Sequence, residues 1–209
     1  SQYATEGSFT AKDKNIASIE PATDILTPSK RFSVTQILTS NTTSEFTIDT
    51  KSLLLAEHLG TKTHAILEKY RFYKNLDSDV ISYFSKQNDF PFSQLMESAQ
   101  VEWGFTYKVD NYLMEGKVDL WGVVDDELWI VDYKTGSDRY KEKAFLQLQY
   151  YSLPIRKFTN IKTAKLVVTY PFSQSTYVIN ASSEDDLLND IKKNLLAWQS
   201  RNESLIQSL

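Results

Sequence analysis

At 209 residues the chain is long enough for one domain with a substantial core, and two domains would be small. A net charge of −4 argues against a protein that grips nucleic acid mainly through bulk positive charge. Cysteine is absent, which excludes disulfides, thiolate zinc sites and iron–sulfur clusters within the chain and fits a cytoplasmic location. No apolar run reaches the roughly 18 residues of a membrane helix, and no signal-peptide pattern opens the sequence. A start at Ser1 rather than Met is what an excised piece of a longer chain would show.

Residues 1–30 are polar, contain Pro21 and Pro28 and lack periodicity, which predicts an extended arm or linker before a single domain over 31–209. Ser33 is placed to cap a short helix through Leu38. Over 51–73, Leu55, Leu59, Ala65, Ile66, Tyr70 and Tyr73 recur at helical spacing, with Gly60 as a break. Helical turns are expected over 77–86 and 93–99, where Ser93 and Glu97 stand close to capping-box spacing. Strands follow at 100–109, 112–124 and 127–134, then a helix over 141–156. Two more strands, 165–170 and 176–179, precede a final amphipathic helix opened by Ser182 or Ser183 and an acidic first turn. No internal repeat is present.

Charge is unevenly spread. Between Lys134 and Lys157 six basic residues face Asp138 and Glu142, so this segment sums to +4 and the remainder to −8. A basic stripe beside an acidic pair suits a metal-dependent phosphodiesterase, although on charge alone a solvated helix face is the simpler reading.

The hairpin at its edge carries more information. A two-residue turn at Asp125-Asp126 pairs Val124 with Glu127 and sets Asp119 opposite Asp132. Directly opposed residues have Cβ atoms about 4.5–5.5 Å apart. Two carboxylates that close on an apolar sheet repel unless one is protonated or a cation lies between them. Lys134 repeats the face of Asp132, because strand side chains alternate. A surface pair of Asp119 with Lys134 would leave Asp132 unexplained after Trp129-Ile-Val131. Two carboxylates and an ammonium suit a hard divalent cation and phosphodiester hydrolysis. Mg²⁺ prefers carboxylate oxygens and keeps waters, and a lysine can orient or deprotonate the attacking water and offset charge growing on the phosphate.

The segments Gly116-Lys-Val-Asp119 and Ile130-Val-Asp132-Tyr-Lys134-Thr-Gly136 resemble the PD-(D/E)XK nuclease core, in the form carried by RecB and AddA helicase–nucleases. Gln147-Leu-Gln-Tyr-Tyr151 is similar to that family's Gln-x-x-x-Tyr motif, and Gly60-Thr-Lys-Thr-His64 to its helical Gly-Thr-x-x-His motif. Glu102 sits where the family often has an acidic residue. The motifs run in the family's order from residue 59 to 151, with Val118 in place of the nominal Pro.

The resemblance implies an α/β fold with a restriction-endonuclease-like core: a central mixed sheet flanked by helices, with an added N-terminal helical portion. It implies that Asp119 and Asp132 ligate Mg²⁺, with Mn²⁺ as the alternative. His64 and the backbone carbonyl of Tyr133 would be further ligands, and Lys134 the catalytic lysine. Glu102 would bind a second metal or hold a water. Gln147 and Tyr151, four apart on one helix face, would position DNA or the surroundings of the lysine. Without its motif, His64 would read as a packed helix histidine. Relatives such as the AddB type fasten this domain with a four-cysteine iron–sulfur cluster, which this chain cannot do. The cluster-free RecB/AddA type is thereby implied, a nuclease domain following a helicase in the same chain and acting on a delivered single strand of DNA. That type brings with it a role in double-strand break repair by homologous recombination, beside a second helicase–nuclease subunit. The alternatives are a stand-alone exonuclease or endonuclease of the same superfamily, or a non-catalytic DNA-binding module.

Overall fold

Segments rich in Val, Ile, Tyr and Trp cannot leave their backbone amides unpaired once buried, and in the computed structural model they pair into one mixed sheet. The structure describes residues 30–39, 50–72 and 79–207. The arm expected over 1–30 lies outside them except for its last residue, as does Tyr73. Within the described residues the strands are β1 (Lys30–Ser33), β2 (Gln100–Val109), β3 (Tyr112–Val124), β4 (Glu127–Tyr133), β5 (Ala164–Tyr170) and β6 (Ser175–Asn180). The helices are α1 (Val34–Thr39), α2 (Thr50–Phe72), α3 (Asp79–Ser85), α4 (Phe92–Ser98), α5 (Lys141–Thr159) and α6 (Glu184–Gln207).

The strand order is β1-β3-β4-β5-β6, with β2 also paired to β3. β1 with β3 and β4 with β5 run parallel, and the remaining pairs are antiparallel. Both β1 and β4 lie on the side of β3 away from β2, β1 along Tyr112–Glu115 and β4 along Leu120–Val124. A fork therefore opens between them at β3 residues 116–119.

Helices cover both faces. Val34 and Ile37 of α1, Phe145, Leu148 and Leu153 of α5, and Ile191 of α6 pack on one side of the sheet against Ile130, Leu166 and Val168. Leu67 of α2, Phe84 of α3, and Phe92 and Leu95 of α4 pack on the other against Leu120, Val131 and Val167. The expected fold, a central mixed sheet flanked by helices, is the one observed. No described helix is long and apolar enough to cross a membrane.

Local signals explain most boundaries. The amide of Gln36 donates to Ser33 Oγ at 3.2 Å while Gln36 Oε1 accepts from the amide of Ser33 at 2.8 Å, a reciprocal cap that starts α1. Ser183 Oγ accepts from the amide of Asp186 at 3.2 Å and starts α6. Asp125 and Asp126 both have positive φ, 51° and 62°, as a two-residue hairpin turn with the sheet's twist requires. The register from Val124–Glu127 to Leu120–Val131 is the one that turn sets.

Two local expectations are corrected. Gly60 does not break the helix: α2 runs unbroken from Thr50 to Phe72. An interior glycine costs only about 1 kcal/mol against alanine, which the packing of Leu67 and the buried Thr63 can offset. Ser93 and Glu97 make no cap, because α4 begins one residue earlier behind Pro91, with the amide of Leu95 donating to the Pro91 carbonyl at 2.9 Å. Proline's fixed φ and the burial of Phe92 set that helix entry. The strand β1 has no counterpart among the expected elements.

Candidate active site

Strand alternation breaks where β4 leaves β3. Val118 and Leu120, two apart, should share a face, yet Val118 packs in the α5-side core and Leu120 in the α2-side core. The same happens across the ladder, where Trp103 packs toward α5 and Val101 toward α2. The residues between, Asp119 and Glu102, are skipped in the pairing while the register on both sides is unchanged. Glu102 makes the switch with a φ of 51°, a left-handed conformation uncommon for a residue other than glycine. Both strands thus twist at one level, and both carboxylates are turned out of the regular pleat.

They meet α2 there. His64 Nδ1 lies 2.9 Å from Glu102 Oε1 and 3.7 Å from Asp119 Oδ1. One potential ligand atom from each of His64, Glu102 and Asp119 lies within 4.8 Å of the others. Lys117 forms an ion pair with the second oxygen of Glu102. His64, Glu102 and Lys117 line a cleft of about 640 Å³ together with Gly60, Thr61 and Glu68.

Asp119 Oδ2 accepts from the amide of Tyr133 at 2.8 Å, so the carboxylate, not the backbone of residue 119, terminates the β3–β4 ladder. Main-chain pairing consequently stops one pair short of Asp119 and Asp132, and the two acids are not the plain cross-strand pair that an uninterrupted pleat predicts. Asp132 follows Leu128 and Ile130 to the α5 side, where Lys134 Nζ donates to its Oδ1 at 3.0 Å. The same ammonium is 2.8 Å from Asp132 Oδ2, yet that buried oxygen receives no aligned hydrogen bond. We read the close Nζ–Oδ2 distance as charge attraction, which leaves a lone pair of Oδ2 available. The amide of Lys134 donates to the Thr169 carbonyl at 2.9 Å, carrying the β4–β5 pairing on to the lysine.

Electrostatics follow from this crowding. Burial and the charge of Asp132 push the Asp119 carboxyl up to about 7, against the pull of His64, the Tyr133 amide and Lys134. Burial likewise raises Asp132 despite Lys134. Burial pushes His64 down, but Asp119 and Glu102 outweigh it and the net direction is upward. Glu102 is held below its ordinary value because the bonds from Lys117 and His64 outweigh its burial.

Gln147 Nε2 donates to the Tyr151 hydroxyl at 2.8 Å, one turn apart on α5. Tyr151 is only 5% exposed and its ring belongs to the α5-side core. Its ring stands edge-on to Phe105 at 5.1 Å, and both rings fill the space above Gly116. A Cβ at Gly116 would come within 2.6 Å of Phe105 Cζ and 2.7 Å of Tyr151 Cε1. Gly116→Ala is therefore expected to destabilise the fold by about 1–3 kcal/mol, as overpacked cores do, measured by denaturant unfolding. A change within about 0.5 kcal/mol would show that the rings can move aside.

The structure thus groups His64, Glu102 and Asp119, and sets Asp132, Lys134 and Tyr151 beyond Asp119. The ring of Tyr133 is buried against Phe84 at 5.5 Å, and its carbonyl follows directly on Asp132 in the chain. Sequence reasoning assigns no role to Lys117. Its signal is modest: a cation two residues before Asp119 on a strand, hence of the same parity.

The protein has an α/β fold in which three acids at the sheet fork meet His64 of α2, with Lys117 and Lys134 beside them. No protein-family model matches the chain. It is similar to an ATP-dependent helicase/nuclease subunit of Clostridium botulinum (strain Alaska E43 / Type E3), 25% identical over 75% of this chain and 14% of that protein. The same-named protein of Clostridium kluyveri is 27% identical over 62% of this chain and 11% of its own length. The chain thus spans about a seventh or less of these relatives. A phage related exonuclease from Haemophilus somnus 129PT superposes with a TM-score of 0.37 and 9% identity, covering 70% of this chain and 82% of that one. That likeness is too loose to argue from.

Proposed function

We infer that the chain is a divalent-metal-dependent DNA nuclease domain, part of a cytoplasmic helicase–nuclease of the RecB/AddA type acting in double-strand break repair. The observation that carries this reading is the fork: His64, Glu102 and Asp119 on one side of the Tyr133 amide, the buried Asp132 with its partner Lys134 on the other. The similarity to helicase/nuclease subunits supports the context, a helicase in the same chain and a second helicase–nuclease chain beside it. The substrate would then be a single strand of DNA delivered by that helicase.

The residues fit a cation. Acidic groups often cluster without one, but burial and the charge of Asp132 raise the Asp119 carboxyl, 12% exposed, to about 7, which a cation would relieve. Asp132 Oδ2 already has Lys134 Nζ at 2.8 Å, and its unaligned lone pair leaves room for an ion as well. One imidazole with several carboxylates suits Mn²⁺ as well as Mg²⁺. His64, Glu102 and Asp119 would hold it, with Asp132 Oδ2 and the Tyr133 carbonyl completing the set. A bound ion would acidify a water and neutralise phosphate charge.

Lys134 does the positioning. Burial pushes its ammonium down, but Asp132 more than offsets this and the net direction is upward. Paired with Asp132, a protonated Lys134 is a donor to the attacking water and to the phosphate. Gln147 and Tyr151 back the lysine from α5.

The test is cleavage of labelled linear duplex and single-stranded DNA in Mg²⁺, Mn²⁺ or EDTA. Metal-dependent degradation from the ends is expected, and a protein that binds the ion yet cuts neither substrate overturns the reading. His64 is half-buried on the cleft wall, not in the core. His64→Ala should therefore lower the EDTA melting temperature only modestly, through its lost bond to Glu102, while weakening Mn²⁺ binding far more. Comparable destabilisation with and without Mn²⁺ would instead make His64 a packing residue.

A further inference from the structure

Glu102 is poorly held by its own backbone. It lies on β2, which among the described residues pairs only with β3, it is unpaired in that ladder, and its left-handed φ gives it no help from the regular pleat. Two side chains fix its carboxylate: His64 at Oε1 and Lys117 at Oε2. If a cation takes the His64 nitrogen and Glu102 Oε1, the bond between those two atoms is given up. Lys117 is then the remaining anchor, and it holds the oxygen that faces away from His64.

Lys117 is suited to that task. An ammonium has donors only, so it cannot compete for the ion, and it keeps Glu102 charged. Its side chain is 62% exposed, and the charges acting on it are all acidic: Glu102, Asp119 and Glu68. We propose that Lys117 is a positioning residue that aims Glu102 at the metal group, a role that rests on the metal-site reading above and adds a residue to it. The partner of a ligating carboxylate typically changes metal affinity 10- to 100-fold when removed.

Charge and positioning predict opposite signs, which makes the idea testable without activity. Removing a positive charge beside a cation site should tighten binding if Lys117 acts only through its field. Removing an anchor should weaken it. Mn²⁺ affinity is measured by calorimetry, without DNA, for wild type, Lys117→Met, Lys117→Arg, Glu102→Gln and the Lys117→Met/Glu102→Gln double variant. Lys117→Met is expected to bind Mn²⁺ about tenfold more weakly at an unchanged melting temperature in EDTA, Lys117→Arg to recover most of the loss, and the double variant to bind no worse than Glu102→Gln. Equal or tighter binding by Lys117→Met overturns the proposal while the metal site stands. Absence of Mn²⁺ binding by wild type, or full binding by Glu102→Gln, removes the site that Lys117 would serve and overturns the proposal with it.

Discussion

Lys134→Ala is expected to cleave DNA at least about a hundredfold more slowly than wild type while still binding Mn²⁺. Removing one preorganised donor that meets developing charge costs about 2.7–4 kcal/mol of transition-state stabilisation, which is about 10²–10³ in rate. The ammonium cannot itself ligate the ion, so its loss falls on the chemical step. The structure adds a complication, because Lys134 is also the cation paired with the buried Asp132. A buried carboxylate stripped of its partner destabilises a protein by about 3–5 kcal/mol unless it takes up a proton or another cation. Stability should therefore fall in EDTA and be largely regained in Mn²⁺, where cleavage is measured. Lys134→Gln keeps a polar side chain of similar length but no charge, and should be similarly slow. Near-normal cleavage by either variant, folded in Mn²⁺, would show that the fork is not this kind of active site.

What the sequence reveals follows physical range. The β3–β4 register is readable because the Asp125-Asp126 turn fixes it locally. The short strand β1 is not, since Lys30–Ser33 adjoins a polar arm and pairs with β3 some 80 residues later. Gly60 misleads because an interior glycine is a weak penalty, easily overridden by tertiary packing. In the site, the identities of His64, Asp119, Asp132 and Lys134 can be read from motifs, but not their grouping. That depends on the kink at Glu102 and Asp119, and glutamate carries no signal for left-handed backbone. An unbroken pleat predicts Asp119 against Asp132. The observed break gives Asp119 to His64 and the Tyr133 amide, and Asp132 to Lys134. Lys117, diagonal to Glu102 across β2 and β3, reaches the second oxygen of that carboxylate.

Without a metal, the protein is expected to lose stability as pH rises from about 4 to 8, and Mn²⁺ is expected to abolish most of that loss. The Asp119 carboxyl, with an ordinary value of 3.8, is pushed up to about 7 by burial and by Asp132. The folded state thus holds this proton more tightly than the unfolded chain does. The resulting stability is fully present below about pH 4 and is lost as pH climbs through 7. Asp132 and His64 are raised as well and act in the same sense. Glu102 is lowered, so its contribution is lost only as pH falls toward its depressed value, at the acid end of this window. A three-unit shift is worth about 4 kcal/mol for an isolated group, and sharing among interacting groups reduces the sum to a few kcal/mol. A divalent ion replaces the proton, so its affinity should increase over the same interval, and at 100-fold excess over Kd it should stabilise the fold by about 2.7 kcal/mol. Melting temperatures across pH 4–8 in EDTA and in Mn²⁺ measure both effects. Asp119→Asn, which keeps the shape but cannot ionise, should flatten the EDTA profile and lose most of the Mn²⁺ response. Parallel profiles in EDTA and Mn²⁺ for wild type would mean that the charge trapped at this fork is not what a cation relieves.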